Sequence, residues 1–191
     1  MSVREVVQIG DPVLREPARE VDPSEISSPE IQSLIDDLID TKRATNGAGI
    51  AANQIGEAVR VAIVEVEEGN PRYPYKPPVP LTVLINPVLE PVGDEAVEIN
   101  EGCLSVPDLR GSLERHLEVR VRYLDREGVE HDEVRRGLTA GTFQHEVDHL
   151  NGTLFVDRAD PRTFATWEQF DRHQREEFVR RASRLVDEAG S

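Results

Sequence analysis

The chain has 191 residues, 38% of them hydrophobic and 31% charged, a balance suited to one soluble globular domain large enough to bury a core. Its formal charge of -15 argues against a binder of free nucleic acid or of an anionic membrane, because phosphates would be repelled. No basic start followed by an apolar run marks a secretory signal, no stretch approaches the roughly 18 apolar residues of a membrane span, and the single cysteine, Cys103, excludes an internal disulfide, so a cytoplasmic protein is the expectation.

The opening segment reads as extended and turn-rich, punctuated by Gly10, Pro12 and Pro17. A first helix is expected over SSPEIQSLIDDLIDTKRA: Ser28 can cap it, Pro29 suits its first position, and Ile31, Leu34, Ile35, Leu38 and Ile39 form an apolar stripe. NGAGIAANQIG follows, too rich in glycine and alanine for an ordinary surface loop. RVAIVEV, LTVLINPVLEPV and AVEINEGCLSVP read as strands, and the proline-dense EEGNPRYPYKPPVP between the first two as a surface loop that could line a cleft, with a plain excursion the favoured reading. LEVRVRYLD and VEHDEVR form an expected hairpin turning at Gly128.

A second helix should begin near Thr139 and stop at Asn151-Gly152, a pair suited to the left-handed residue beyond a helix end. A third, long helix is expected from Asp160 and Pro161 to the C-terminus, with Phe164, Trp167, Phe170, Phe178, Ala182 and Leu185 as a packing stripe. This order of elements predicts an α+β fold, mostly antiparallel sheet around a central helix, with a long C-terminal helix.

The central helix carries TFQHEVDHLNGTLF. His145 and His149, four residues apart, lie on one helical face and can aim both imidazoles at one metal ion, with Glu146 offset by one residue to act as a general base beside it. A longer metalloprotease pattern is nearly completed, but Phe155 stands where its third ligand would be. Two candidates remain for that ligand. Glu168 lies at a separation that some zinc peptidases use. Cys103, next to Gly102 where backbone can approach a site closely, offers a thiolate suited to zinc or ferrous iron, and two histidines plus one cysteine leave a fourth position for water. The cysteine is the favoured reading. GAGIAA also matches a dinucleotide-binding glycine pattern formally, but that pattern needs a strand before it and a helix after it, the reverse of the order here.

Three stretches, GAGIAANQ at 47–54, EGCLS at 101–105 and QHEVDHLNG at 144–152, together resemble the signature motifs of peptide deformylases, in the family's order. The resemblance extends over most of the chain and implies one catalytic domain across residues 1–191 that removes the formyl group from N-formylmethionine on newly made proteins. It implies that Cys103, His145 and His149 bind one divalent metal. The cellular metal would be Fe2+, with Zn2+, Ni2+ or Co2+ possible in a purified sample. Glu146 would shuttle the proton, and the Gln54 side chain and the Leu104 backbone N–H would stabilise the oxyanion. Gly49 and Ile50 would line the substrate, with Ile50 contributing to an apolar pocket for methionine, and Arg110 could reach peptide carbonyls. Around the metal, Asp148 is the nearest acceptor for a histidine N–H, and Glu101 would pair with an arginine, for which Arg115 is the choice.

The resemblance also implies possible ribosome contact through the C-terminal helix, for which Arg172, Arg175, Arg180, Arg181 and Arg184 are candidates; an ordinary surface helix laced by ion pairs is the plainer reading. Other readings are a deformylase of another formamide, a zinc peptidase using Glu168 (which would survive loss of Cys103), and an inactive relative that only binds. Intact Glu146 and Gln54 count against the last.

Overall fold

The computed structural model describes residues 2–70 and 72–191. Helix α1 (Pro29–Ala44) begins where Ser28 Oγ accepts from the Ile31 N–H, and its apolar stripe faces inward. Strands β1 (Gly49–Ala51), β2 (Val61–Val66) and β3 (Val79–Pro91) follow. Then come β4 (Ala96–Cys103), β5 (Val106–His116), β6 (Glu118–Leu124), β7 (Glu130–Arg136) and helix α2 (Gly137–Leu150). Five strands form one antiparallel sheet in the order β1-β2-β3-β6-β7, and β4 and β5 form a separate two-stranded sheet. Helix α2 packs against strands of both, which makes it the centre of the molecule.

Every residue of β2 is buried, so this strand is not half-solvated as its alternation would suggest. On one side Ile63 meets Ile35, Leu38 and Ile50; on the other Ala62 and Val64 meet Phe143 and Leu150 of α2. Two covered faces require an almost continuous apolar run. The exception, Glu65, is 7% exposed and lies beside Lys42 Nζ at 2.8 Å and Arg43 Nη2 at 2.7 Å. Hydrogen bonds from Arg43, with Lys42, hold its carboxyl down at about 2. Because the folded value lies below the unfolded one, this pair stabilises the protein above pH ~4.5 and is lost as pH falls toward ~2. Glu65→Gln should therefore cost roughly 2–3 kcal/mol near pH 7 and progressively less below pH ~4.5, a convergence that urea unfolding of both proteins across that range would measure.

Strand β5 was not foreseen as a separate element, and the C-terminal region differs from the expected single helix. Asp160 and Pro161 open only a 3-10 turn, Pro161–Thr163. Ala165 then exchanges backbone hydrogen bonds with Arg110, at 2.9 and 3.0 Å, and is held extended against β5. Helix α3 (Trp167–His173) starts anew at Thr166, whose hydroxyl accepts from Gln169 N–H, and α4 (Arg175–Ala189) is the C-terminal helix proper. The break arises because Ala165 pairs with a strand far away in sequence. Phe170, Phe178 and Ala182 pack on Ile99 and Leu138. Of the five arginines singled out, Arg172 and Arg180 pair with acids on their own helices, Arg175 with Asp171 of α3, and Arg181 with Glu98. Among the described residues no helix is long and apolar enough to cross a membrane.

Candidate active site

Helix α2 ends at Leu150, Asn151 caps it, and Gly152 continues at φ 74°, in the left-handed region. A Cβ there would lie 2.6 Å from the Arg15 carbonyl oxygen, so glycine is required twice over. The helix carries His145 and His149 with ring centroids 4.9 Å apart. Cys103 arrives from the other sheet, at the end of β4, where the register with β5 shifts between Gly102 and Cys103 before the turn at Leu104 and Ser105. Such an irregularity re-aims a side chain, here the thiol toward α2. Ligand atoms of Cys103, His145 and His149 all lie within 4.8 Å of one another, and Cys103 Sγ is 3.2 Å from His149 Nε2.

One thiol and two imidazoles, converging and largely buried, are a donor set for a divalent cation such as zinc or ferrous iron. Burial, and then the neighbouring His145, push His149 well below its usual value, which favours the neutral imidazole a metal needs. The Ser105 N–H also points at Sγ, at 3.4 Å. Glu168, the alternative ligand, is remote from this cluster in role: its exposed carboxylate pairs with Arg172 on α3. Phe155 is buried in the core at 1% exposure.

The support around the histidines differs from the expectation for Asp148. Glu101, not Asp148, takes the outer nitrogen of a histidine: Glu101 Oε2 is 2.8 Å from His145 Nδ1. Asp148 instead binds Arg115 Nη1 at 2.5 Å and Arg158 Nη2 at 3.0 Å. The reason is tertiary, since the two-stranded sheet brings the Glu101 carboxylate to His145 Nδ1 and the Arg115 guanidinium to Asp148. Arg115, 1% exposed, joins the two acids, gripping Glu101 with Nε at 2.8 Å and Nη2 at 2.9 Å. Burial is the largest single influence on the Glu101 carboxyl and raises it, but the charge and hydrogen bonds of Arg115, together with those of His145, outweigh it and hold the group well below the ordinary carboxylate range.

Glu146 is 3% exposed, its Oε2 takes no hydrogen bond from a described residue, and burial pushes its carboxyl up to about 7. Gln54 accepts from the Ala51 N–H through Oε1 at 2.9 Å, which turns Nε2 toward Ser105 Oγ at 3.2 Å and Cys103 Sγ at 3.5 Å. Gly49 closes against the Glu146 carboxylate: a Cβ there would stand 2.5 Å from Glu146 Oε1 and 2.8 Å from its Cγ. Gly49→Ala is expected to displace this carboxylate and lower kcat about 10- to 100-fold with metal content retained, a split that parallel turnover and metal assays would resolve.

Gly49, Gln54, Cys103, His145 and Glu146 line a pocket with Ile99, Leu104, Leu138 and Gly141. Ile50 is not part of it. In β1 its side chain points to the opposite face from Gly49 and Ala51, and it is fully buried against α1. Arg110 does line the pocket but is 2% exposed, with Nε and Nη2 bonded to the Asn100 side-chain and backbone oxygens at 2.7 and 2.8 Å. Its guanidinium also stacks 4.2 Å from the Trp167 ring centroid and 4.3 Å from that of Phe170.

The segment between β2 and β3, for which a plain excursion was the favoured expectation over a cleft wall, forms a wall of this pocket. Far from a plain excursion, it places Tyr73, Tyr75 and Lys76 in the pocket lining together with Phe178 of α4. Tyr75 packs edge-on against Phe178 at 5.0 Å, and Lys76 Nζ donates to Thr142 Oγ1 of α2 at 2.7 Å. Burial pushes Lys76 down to about 8. The signal was present in YPYK, aromatic residues amid prolines where a solvated loop would be polar.

Comparison with known proteins agrees with this geometry. Residues 3–165 match the model of the polypeptide deformylase family. The chain is 46% identical to peptide deformylase 1 of Nitrosomonas europaea over 156 residues, 82% of this chain and 87% of that one. It resembles the Met-Ala-Ser-bound crystal structure of class I type b peptide deformylase from Acinetobacter baumannii, with TM-score 0.79, 41% identity, and coverage of 82% and 98% of the two chains. It also resembles the peptide deformylase from Synechococcus elongatus in complex with actinonin, with TM-score 0.72, 32% identity, and coverage of 98% and 86%.

Proposed function

The chain belongs to the peptide deformylase family, and from that premise we propose that it acts as one catalytic domain in the cytosol, removing the formyl group from the N-terminal formylmethionine of new proteins. The observation that carries the reading is the convergence of Cys103, His145 and His149 beside a buried Glu146 and the Gln54 amide. Cys103, His145 and His149 would hold the metal on which the family depends. A divalent cation held there would supply Lewis acidity, lowering the pKa of an attacking water to about 7 and polarising the substrate carbonyl. Ferrous iron is the proposed native ion; Zn2+, Ni2+ and Co2+ suit the same donors.

Hydrolysis adds a water oxygen to the formyl carbon and breaks the bond from that carbon to nitrogen. Glu146 takes the water's proton and delivers it to the departing nitrogen, leaving formate and a free amine. Its raised carboxyl suits both halves of that transfer near neutral pH. Gln54 Nε2 and the Leu104 N–H donate to the oxygen as it becomes negative, where one such bond is worth about 3 kcal/mol. Glu101 fixes the orientation of His145 through Nδ1. Ile99, Leu138, Gly141 and Tyr75 offer an apolar receptacle for the methionine side chain.

The test is formate release from a formylmethionyl tripeptide by anaerobically prepared ferrous protein, with Cys103→Ala alongside and metal measured in both. Release by wild type, with activity and metal both lost in the variant, supports the proposal. No release from metal-loaded wild type sinks the substrate assignment, and activity surviving Cys103→Ala sinks the ligand set. Ribosome contact through α4 is proposed for Arg180, Arg181 and Arg184, since exposed ion pairs such as Arg181 with Glu98 contribute only ~0–1 kcal/mol and can exchange for RNA phosphate. Co-sedimentation with ribosomes should fall when these three become glutamate.

A further inference from the structure

Beside the pocket that holds Glu146 lies a second cavity of about 160 Å³, sharing Tyr75 and Arg110 as its common wall. Its lining is unusual for a chain with 37 acidic residues against 22 basic ones: Arg72, Arg110 and Arg175 face it with a single carboxylate, that of Asp171. Asp171 is engaged by Arg175 at 3.5 Å. Among the described residues neither Arg72 nor Arg110 has a carboxylate within ion-pair distance, although most arginines of this protein do. Arg72 and Arg110 instead stack on the same Trp167 ring, at 5.0 and 4.2 Å from its centroid. Stacking uses the flat face of a guanidinium and leaves its N–H edge free to donate. Two of Arg110's donors are spent on Asn100; Arg72 makes no side-chain hydrogen bond to a described residue.

We propose that this cavity is a carboxylate subsite for the peptide downstream of the formylmethionine, built from Arg72 and Arg175 around the Trp167 platform. The inference rests on the formyl-peptide reading above. A guanidinium pre-oriented on an aromatic ring loses less side-chain freedom on binding than a free one, and its edge matches a carboxylate bidentately. The surrounding negative charge of the molecule makes the preference local, because a carboxylate elsewhere on this surface is repelled. The carboxylate can come from an acidic side chain or from the free C-terminus of a short peptide.

The experiment uses metal-loaded enzyme and formyl-tetrapeptide amides carrying Glu or Gln at the second, third or fourth position, with one neutral peptide as both amide and free acid. At one position the Glu peptide should exceed the Gln peptide in kcat/KM by about fivefold at low salt, a preference that salt erodes. The ratio should fall to about 1 in the Arg72→Gln/Arg175→Gln variant and persist in Arg72→Lys. A preference seen only for the free acid over the amide assigns the subsite to a terminal carboxylate. Ratios at or below 1 throughout, or a preference unmoved in the double variant, overturn the proposal. Calorimetric binding of the deformylated Glu and Gln products reads the same ratio without turnover. Failure of hydrolysis would therefore count against the formyl-peptide assignment alone, while the carboxylate question would be answered by binding.

Discussion

Replacing Glu146 by glutamine should lower kcat by about 10²- to 10⁴-fold while leaving metal content unchanged. The side chain keeps its volume in a space where Gly49 already leaves no slack, but it can no longer take or return a proton. A second consequence separates this residue from a structural one. Glu146 is buried, and that burial raises its carboxyl to about 7, so keeping it there costs folding free energy instead of contributing it. Glu146→Leu should therefore be inactive yet melt no lower than wild type when both are compared without metal. A lower Tm for the leucine variant would mean that the carboxylate supports the fold, and a kcat within tenfold of wild type for the glutamine variant would remove it from the proton transfer.

Arg115→Met should produce the largest loss of stability. The guanidinium lies at 1% exposure between Glu101 and Asp148, and its removal strands two buried carboxylates, with only Arg158 left to face the second. Removing one partner from a buried ion pair costs about 3–5 kcal/mol, which for a chain of this size lowers Tm by about 10 °C. The damage should extend to the metal. Glu101 holds His145 Nδ1, and a carboxylate released from Arg115 no longer fixes that ring, so affinity should fall roughly 10- to 100-fold. Adding Glu101→Gln and Asp148→Asn to Arg115→Met removes the stranded charges and should restore much of the Tm without restoring metal affinity. A triple variant as unstable as the single one would show that packing, not charge, gives Arg115 its weight.

What could be read from the residues in order is whatever a short segment decides by itself. Ser28 and Pro29 mark the start of α1 because capping involves only the first helical turn. His145, Glu146 and His149 occupy usable positions because an α-helix repeats every 3.6 residues, and Gly128 marks the hairpin turn between β6 and β7 at φ 79°. The association of Cys103 with those histidines was legible only through the resemblance of three separated motifs, since a lone cysteine carries no address.

Tertiary structure decided the rest, in each case through partners distant along the chain. Whether Glu101 or Asp148 serves His145 depends on how the two-stranded sheet docks on α2, 44 residues away from Glu101. Ile50 left the pocket because β1 pairs with β2 in a register that turns alternate side chains to opposite faces. The expected C-terminal helix broke because Ala165 found hydrogen bonds on Arg110. The segment carrying Tyr73, Tyr75 and Lys76 became a wall of the pocket because Phe178 and Thr142 lie where it passes. Local patterns determine which groups are available for chemistry. Which of them meet is set by packing between elements, a property of the whole chain that no window of sequence contains.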